Sequence, residues 1–438
     1  MTSTVRASLS AAAALFAGAA ATFVLLGRTQ RDPMFSASGR QLGDWNSTVP
    51  TGVAVGCVLA VLAYAGLQRA SSVRPAWIAA AAATVVLIAA RLTVSGVSDL
   101  DQLTLLHYAK CLAAGVLLGA AVAAAWSRPP ARLLLTGAVA STFVVAHTAH
   151  AGWTPSTSAL GEPFWWVLIP ALVLTAAGAI LDADAPARAD TTEVRAVLLA
   201  VVTLALAHRL LGGWIDGRTG ASLQRWVVIG LCLVVIVALT EFWARRLASP
   251  FLLAATAVAA SAPFVATVLA QDGVRVAPWL SVAAGVLAVA VGLAAGRWRP
   301  MPVVGLAVLA VVPLAAVIDP TPGSRAWFLV VLAVLGGGVG LALGSTLPDS
   351  GALAGLGLVV PLLSLVFTTV VGSTTVVVTY MGAYEPLSNI PMASNPHALD
   401  SPVTFDRAAG VALLSVVVFC GLALHGLRPR DTAAPRAD

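Results

Sequence analysis

The sequence predicts an all-α integral membrane protein with about fourteen transmembrane helices. Of its 438 residues, 59% are hydrophobic and 10% are charged, whereas about 25% of the residues of a soluble domain are charged. The mean hydropathy is +0.92, and apolar runs of about 20 residues, long enough to cross a bilayer, follow one another along most of the chain. These observations exclude a water-soluble protein and leave little sequence for a domain outside the membrane.

The predicted helices follow in three groups. The first six cover residues 8–26, 51–67, 75–97, 104–126, 132–150 and 163–181. Two more cover 193–212 and 225–244, and the last six cover 250–270, 278–296, 301–318, 326–345, 350–378 and 406–426. Glycine and proline inside these runs do not exclude helices, because neighbouring spans satisfy the freed backbone groups. Arg6 before an apolar run is also typical of a signal peptide, but the run is long enough to span, and we expect it to remain as the first helix.

The connections between the predicted helices differ in length and charge. Two outer connections are long, over 27–50 with Asp32 and Asp44, and over 379–405. The longest inner connection, 182–190, is polar and predicts a linker that divides the chain.

The distribution of arginine predicts the orientation in the membrane. With the N-terminus in the cytoplasm, fourteen arginines fall on the inner side and eight on the outer side, as the positive-inside rule requires. We therefore expect both termini in the cytoplasm and the protein in the plasma membrane. The pI near 9.7 does not indicate a nucleic-acid partner, because no basic stripe is present. Lys110 is the only lysine beside 24 arginines, which favours a high-GC bacterial coding bias.

Two short inner turns indicate an internal duplication. The turn after the second predicted helix reads Gly66-Leu-Gln-Arg69 and leads to Arg74-Pro75, and the turn after the tenth reads Gly296-Arg297-Trp-Arg299-Pro300. In both, glycine and arginine precede a proline that opens a helix. The turns correspond if helices 1–6 and 9–14 are equivalent halves.

This correspondence predicts a 6+2+6 arrangement. Residues 1–182 would form an N-terminal six-helix bundle, 183–249 a linker with two inserted helices, and 250–438 a C-terminal six-helix bundle with a short cytoplasmic tail. We expect the arginines of the two turns to act in conformational change: Arg69, Arg74, Arg297 and Arg299.

Several segments resemble a known family of transporters. They are Phe164-Trp-Trp-Val-Leu-Ile-Pro170, Trp243-Ala-Arg-Arg246 followed by Pro250-Phe-Leu-Leu253, and the glycine-rich stretches 336–344 and 355–357. They are similar to the sixth helix, the end of the inserted helix pair and the glycine-rich late helices of the fourteen-helix drug:proton antiporters of the major facilitator superfamily. The resemblance implies a two-bundle fold and export of a small solute.

The chain departs from that family where the family carries acidic and proline residues. The turn 66–75 has no Asp-Arg-x-Gly core, the run 132–150 has no proline and the run 8–26 has no acidic residue. No predicted span carries a carboxylate near its middle, although proton-driven transport usually needs an ionisable group within the bilayer.

The ionisable residues inside the predicted spans are basic. His107 and Lys110 are three residues apart and share a helix face. With His147 they are expected to converge on a central cavity of the superfamily fold, and Arg91 is a fourth candidate for binding an anionic group. The alternative is that Lys110 and the arginines extend to the outer interface or pair with acidic residues there. We expect His208 and Arg209 to be peripheral and His150 to lie at the membrane boundary.

Four glycines of the twelfth predicted helix are candidates for a gating hinge or for close packing: Gly336, Gly337, Gly338 and Gly340. The sequence has no catalytic motif, metal-ligand spacing or cofactor-binding loop, so we expect neither an enzyme nor a bound metal or cofactor.

Three functions are compatible with these observations. The first is a secondary transporter that exports an amphiphilic or anionic small molecule. The second is a transport-inactive scaffold of the cell envelope that keeps the fold. The third is a lipid-linked glycan flippase or glycosyltransferase, for which Asp32 and Asp44 would be the acidic candidates.

Overall fold

The computed structural model describes residues 3–26, 39–95, 97, 99–153, 160–182, 184–218, 223–268, 276–318, 325–371 and 407–427. Over these residues the chain is helical and contains no β-strand. The helices of the first half are α1 (Ser3–Leu26), α2 (Gly39–Leu67), α3 (Arg74–Val94), α4 (Leu100–Ala125), α5 (Pro129–Trp153) and α6 (Trp165–Leu181). They are followed by α7 (Thr191–Asp216) and α8 (Leu223–Arg246). The remaining helices are α9 (Pro250–Ala259), α10 (Pro278–Trp298), α11 (Pro302–Ile318), α12 (Arg325–Thr346), α13 (Gly351–Val359) and α14 (Arg407–Gly426).

The helices form a multi-pass membrane protein. Eleven helices within the described ranges have the length and composition to cross a membrane, and three shorter apolar helices accompany them: Trp165–Leu181, Pro250–Ala266 and Pro302–Ile318. Large apolar side chains such as Leu105, Ile180 and Leu223 are exposed at the surface, as expected of helices that contact lipid.

Every predicted run contains helix within the described residues, but the predicted outer connection 27–50 is wrong over its second part. Helix α2 begins at Gly39, because Trp45 and Val49 lie four residues apart on one helix face and pack against the start of α4. The opposite face is exposed and includes Asp44, and these polar residues suggested a loop. The predicted connection 379–405 lies outside the described residues.

Two predicted helices are interrupted where proline occurs. After α9 the chain turns and continues as a π-helical segment, Phe264–Val268, directly after Pro263. After α13 a 3₁₀ turn, Val360–Leu362, contains Pro361 and leads to the one-turn helix Leu365–Thr368. Proline lacks a backbone N–H and clashes with the preceding turn, so a straight α-helix ends there.

The same order of helix packing occurs twice in the chain. In the first half α2 packs on α4, α1 on α4, α5 and α6, and α3 on α4 and α6. In the second half α10 packs on α12, α9 on α12, α13 and α14, and α11 on α12 and α14. Each pair of the second set is a pair of the first set with eight added to both helix numbers.

The contacts between the two halves follow the same rule. Helix α5 packs along α10, and α2 packs along α13. With the offset of eight, α2 corresponds to α10 and α5 corresponds to α13. The α5–α10 contact is therefore the equivalent of the α2–α13 contact. The additional helices break this equivalence, because α7 packs on α2 and on the α13 region, while α8 packs on α7, α9 and α14.

Glycines permit the closest helix pair in each half. A methyl group at Gly115 of α4 would overlap the carbonyl oxygen of Gly56 in α2. In the second half, a methyl group at Gly340 of α12 would overlap the carbonyl oxygen of Val289 in α10. Small residues allow such backbone contact in membrane helices.

We call the end of the molecule that holds the turns 67–74, 126–129, 181–190 and 347–350 the proximal end. The distal end holds residues 160–164 and the beginning of α4.

Candidate functional site

The candidate site is built around Lys110, which is buried near the distal end of α4. Its side chain is 2% exposed, and its ammonium group donates a hydrogen bond to the backbone carbonyl of Leu160. Lys110 therefore does not extend to the outer interface, the alternative considered from the sequence. A buried ammonium needs such polar partners to offset its lost hydration.

Arg91 of α3 binds the same segment of the distal end. Its guanidinium donates to the carbonyl oxygens of Pro163 and Glu162, and it lies 4.9 Å from the centre of the Trp165 ring. The last contact has cation–π geometry. Lys110 and Arg91 together fix residues 160–164 over the distal end of the first half through their carbonyl groups.

Glu162 lies within this fixed segment and is buried. The residue is 6% exposed, and its Oε1 atom has no hydrogen-bond partner. None of the salt bridges of the described residues includes its carboxylate. Burial raises the pKa of Glu162, while the nearby charges of Lys110 and Arg91 act in the opposite direction.

His107 is packed beside Lys110 between α2 and α4. Its Nε2 atom lies 3.1 Å from the carbonyl oxygen of Val49 and 3.6 Å from the sulfur of Cys111. The ring meets Trp45 edge-on with centroids 5.8 Å apart, and its Nδ1 atom has no partner. Gly52 makes this possible, since a methyl group there would lie 2.6 Å from Nε2.

His147 lies on another helix, α5. It is half-buried there, and the α5 side chain that comes nearest to Gly285 of α10 is that of Val145. Residues two apart do not face the same side of a helix, so this contact does not place His147 between the halves. The structure brings Lys110, His107 and Arg91 to one end of the first half, whereas the expected convergence of His147 with them stays a prediction.

Arg209 and His208 are part of a contact between helices. The Nε of Arg209 donates to Thr51 at 2.7 Å, and its Nη2 donates to the carbonyl of Ser47 at 3.2 Å. His208 is buried, and its ring meets Phe367 edge-on at 5.4 Å. These contacts pack α7 between α2 and the segment after α13, so neither side chain extends to the outer interface. Their predicted position away from the central cavity stays a prediction. The side chain of His150 lies outside the described residues.

The predicted linker 182–190 is held firmly at the proximal end. Arg128 binds both oxygens of Asp182 at 2.5 and 2.6 Å and also binds Asp184. Trp77 donates to Asp182 at 3.3 Å. Burial alone would raise the pKa of Asp182, but the hydrogen bonds and charge of Arg128 outweigh it and hold this pKa below its ordinary value. The pKa of Arg128 is raised in turn, chiefly by its hydrogen bond to Asp182.

Backbone groups of the linker continue this network. The N–H of Val73 donates to the carbonyl of Asp184 at 2.8 Å, and the N–H of Ala189 donates to the side chain of Gln68 at 2.9 Å. The connection after α6 thus contacts the turns after α2 and α4, and the three form one surface at the proximal end.

Two polar contacts connect the halves at the proximal end. Arg132 of α5 forms a salt bridge of 2.8 Å with Asp349, which precedes α13. The indole N–H of Trp126 donates to the carbonyl of Pro348 at 3.3 Å. Nearby, a methyl group at Gly351 would lie 2.7 Å from the hydroxyl of Tyr64, so α2 closely approaches the start of α13.

The arginines selected from the sequence have other surroundings. Arg69 and Arg297 are exposed, Arg74 donates to the carbonyl of Ile180 at 3.2 Å, and Arg299 lies 5.7 Å from the ring of Trp298. None of these four forms one of the salt bridges recorded among the described residues. Their role in conformational change stays a prediction.

The four selected glycines lie in a continuous helix, since α12 runs unbroken from Arg325 to Thr346. Gly336 and Gly340 face α10, and Gly338 faces α11. A methyl group at Gly337 would meet nothing within 4 Å. Three of the four therefore have packing neighbours, and a hinge in this helix stays a prediction.

Three residues of these sites were missed from the sequence: Glu162, Arg128 and Asp182. Glu162 lies in the connection between the predicted spans 132–150 and 163–181, where an acidic residue does not stand out. A usable signal was its position between Leu160-Gly161 and Pro163-Phe164, an apolar surrounding for a single carboxylate. Gly161 adopts a φ of 61° there, a left-handed conformation that glycine adopts without strain.

No protein-family model matches the chain, and no curated protein matches it. Among the described residues, no group of three or more His, Cys, Asp or Glu side chains is arranged to hold a metal ion.

Proposed function

We propose that the protein is a secondary transporter of the major facilitator type. Two six-helix bundles, α1–α6 and α9–α14, would expose a site between them alternately to the two sides of the plasma membrane. Helices α7 and α8 would be an insertion between the bundles. The expected cargo is a small amphiphilic or anionic solute, and the expected direction is export.

The repeated order of helix packing carries this proposal. Six helix pairs of the first half recur in the second half with the same offset of eight. With this offset, the two contacts between the halves, α5–α10 and α2–α13, are equivalent to each other. Such parallel repeats, related by an axis along the membrane normal, are typical of transporters that work by rocking one bundle against the other.

The contacts at the proximal end support a conformation closed on that side. The Arg132–Asp349 salt bridge and the Trp126–Pro348 hydrogen bond join the halves there. The positive-inside rule assigns this arginine-rich end to the cytoplasm. The molecule would then be closed to the cytoplasm.

The charge of the distal cluster supports an anionic cargo. Lys110 and Arg91 donate to neutral carbonyl groups, which compensate their desolvation without cancelling their charge. Glu162 is the carboxylate that acts electrostatically on both, so one positive charge remains when it is ionised. A carboxylate or phosphate would be attracted to this end of the first bundle.

Distances between spin labels can test alternating access before the cargo is known. Labels at Ser71→Cys and Met301→Cys would report on the proximal turns of the two bundles, since both positions are exposed and the four native cysteines are buried. We expect two populations of distance, one for each conformation. A control pair at Ser71→Cys and Arg188→Cys lies within the first bundle, where the linker is fixed, and should give one population.

The alternatives predict other results. A single Ser71–Met301 distance under all conditions of pH and lipid would contradict the transporter and favour the scaffold. A glycan flippase or glycosyltransferase would lose envelope glycan when Asp32 and Asp44 are replaced together. Asp44 is exposed on α2, and Asp32 lies outside the described residues.

A further inference from the structure

We propose that Glu162, held beside Lys110 and Arg91, is a proton-binding site at the distal end of the first bundle. Its role in transport rests on the function proposed above. There it would provide the acidic group that the sequence lacks within the predicted spans. The binding of a proton at this position does not depend on transport.

The geometry of the segment 160–164 is the first argument. Lys110 and Arg91 hold this segment by its carbonyl oxygens, so the backbone of Glu162 is fixed on both sides. The two cations are engaged by the carbonyl groups, and neither forms a salt bridge with the carboxylate. The carboxylate therefore stays buried, with Oε1 unpaired, and is not locked into an ion pair.

The cost of the two charge states is the second argument. Ionising a buried carboxylate costs free energy, the more so when one of its oxygens, here Oε1, has no hydrogen-bond partner, and binding a proton lowers this cost. The two nearby cations oppose protonation, so the ionised state also remains accessible. Burial and the two cations act on this carboxyl group in opposite directions, as expected of a group that binds and releases a proton.

Other titratable groups lie near Glu162, and their protonation must be distinguished from that of Glu162 in an experiment. Arg91 comes from α3, and Lys110, with His107 and Cys111 beside it, comes from α4. The side chains from the other neighbouring helices are aromatic: Phe23 of α1 meets Phe164 at 5.4 Å, and Trp45 of α2 packs against Leu160. Among these described neighbours, Glu162 is thus the one residue with a carboxylate side chain.

Infrared spectroscopy of the full chain in lipid vesicles can test the site. Protonated carboxyl groups have a carbonyl stretching band that ionised ones lack, and the difference between the wild type and Glu162→Gln isolates this residue. We expect a band that persists to a pH well above the range in which exposed carboxyl groups ionise. Replacing Arg91 by Met removes one neighbouring cation and should move the midpoint to still higher pH.

Asp101→Asn is the matched control. Asp101 lies in the first turn of the same helix as Lys110, and its side chain is exposed. This variant should keep the high-pH band unchanged. A band that survives in Glu162→Gln, or a Glu162 that titrates together with the exposed carboxylates, would overturn the proposal.

The outcome is independent of the spin-label experiment. A high-pH band together with a single Ser71–Met301 distance would support the proton site and contradict the transporter. Two distances without the band would support the transporter and show that its acidic group lies elsewhere.

Discussion

Several cations of this molecule bind backbone carbonyl groups. Lys110, Arg91 and Arg74 each donate to a carbonyl oxygen at the end of a helix or in a connection, and Arg209 divides its bonds between a carbonyl and a hydroxyl. A carbonyl replaces part of the hydration of a cation but does not neutralise it. The molecule can therefore bury positive charge without placing a carboxylate in each span.

The residues of the distal cluster were partly predictable from the sequence. Lys110, His107 and Arg91 stand out because charges are rare in apolar runs. Their partners could not be predicted, because carbonyl groups have no sequence signature and because Glu162 is far from Lys110 in the chain. The pattern of hydropathy does not reveal that a connection folds back over the bundle.

At the proximal end, we expect Asp182→Asn to lower the free energy of unfolding by about 3 kcal/mol, because it leaves the buried part of Arg128 without its partner. Asp184→Asn is the control. Asp184 also binds Arg128, but its side chain is 56% exposed, so its loss should cost less than about 1 kcal/mol. Unfolding in detergent micelles at neutral pH measures both. Equal effects of the two variants would contradict this account.

The contribution of Asp182 should also depend on pH. Its pKa in the folded protein lies below the ordinary value of 3.8, so the folded state binds fewer protons than the unfolded state between these two values. The stabilisation is therefore fully present above about pH 4 and is lost as the pH falls through the folded pKa. The difference in stability between the wild type and Asp182→Asn should shrink on acidification. A constant difference down to strongly acidic pH would be inconsistent with this origin.

Among the helices, the glycine-lined pairs α2–α4 and α10–α12 provide the closest contacts. Glycines at spacings of four in α4 and α12 meet carbonyl groups of the partner helix. The sequence shows the glycines, but it does not show which helix each one faces. For that reason packing and a hinge were both considered for α12.

A substitution in α12 can measure this contact. Gly340→Val should destabilise the protein by about 2–3 kcal/mol, because the backbone of α10 cannot move aside for the added atoms. Gly337→Ala is the control: the added methyl group meets nothing within 4 Å, and alanine favours a helix by about 1 kcal/mol over glycine. Thermal unfolding in micelles should separate the two variants, and a tolerated valine would show that the contact is loose.

The positions of the helices were predictable and some of their ends were not. Apolar runs predict spans because the bilayer requires them, and all fourteen runs contain helix. The beginning of α2 at Gly39 was missed because only one of its faces is apolar there. The interruptions near Pro263 and Pro361 were missed because proline is tolerated in many membrane helices, and only packing determines where the helix breaks.

For the whole molecule, the duplicated packing was only weakly indicated by the two arginine–proline turns. Those turns predict an offset of eight helices, and the packing recurs at that offset. The ion pairs of the proximal end involve other arginines, Arg128 and Arg132, which follow α4. The recurrence is visible in the helix contacts and could not be read from the sequence, because no sequence pattern shows which helices touch.

The salt bridge between the halves should control the balance of conformations more than stability. Asp349 is 96% exposed, so Asp349→Asn should change the unfolding free energy by less than about 1 kcal/mol. That amount is enough to shift a two-state equilibrium by up to about fivefold. The Ser71–Met301 distance should move towards the population in which the proximal turns are apart. Asp184→Asn should leave the distances as they are, and an equal shift there would contradict a specific role for Asp349.

Helices α7 and α8 make the two flanks of the molecule unequal. Helix α7 covers the seam between α2 and α13, whereas neither inserted helix packs extensively on α5 or α10 within the described ranges. Among the described residues, lipid acyl chains would therefore contact the α5–α10 interface more directly than the α2–α13 interface. Under the transport function proposed above, a lipid-soluble compound would enter laterally along α5 and α10.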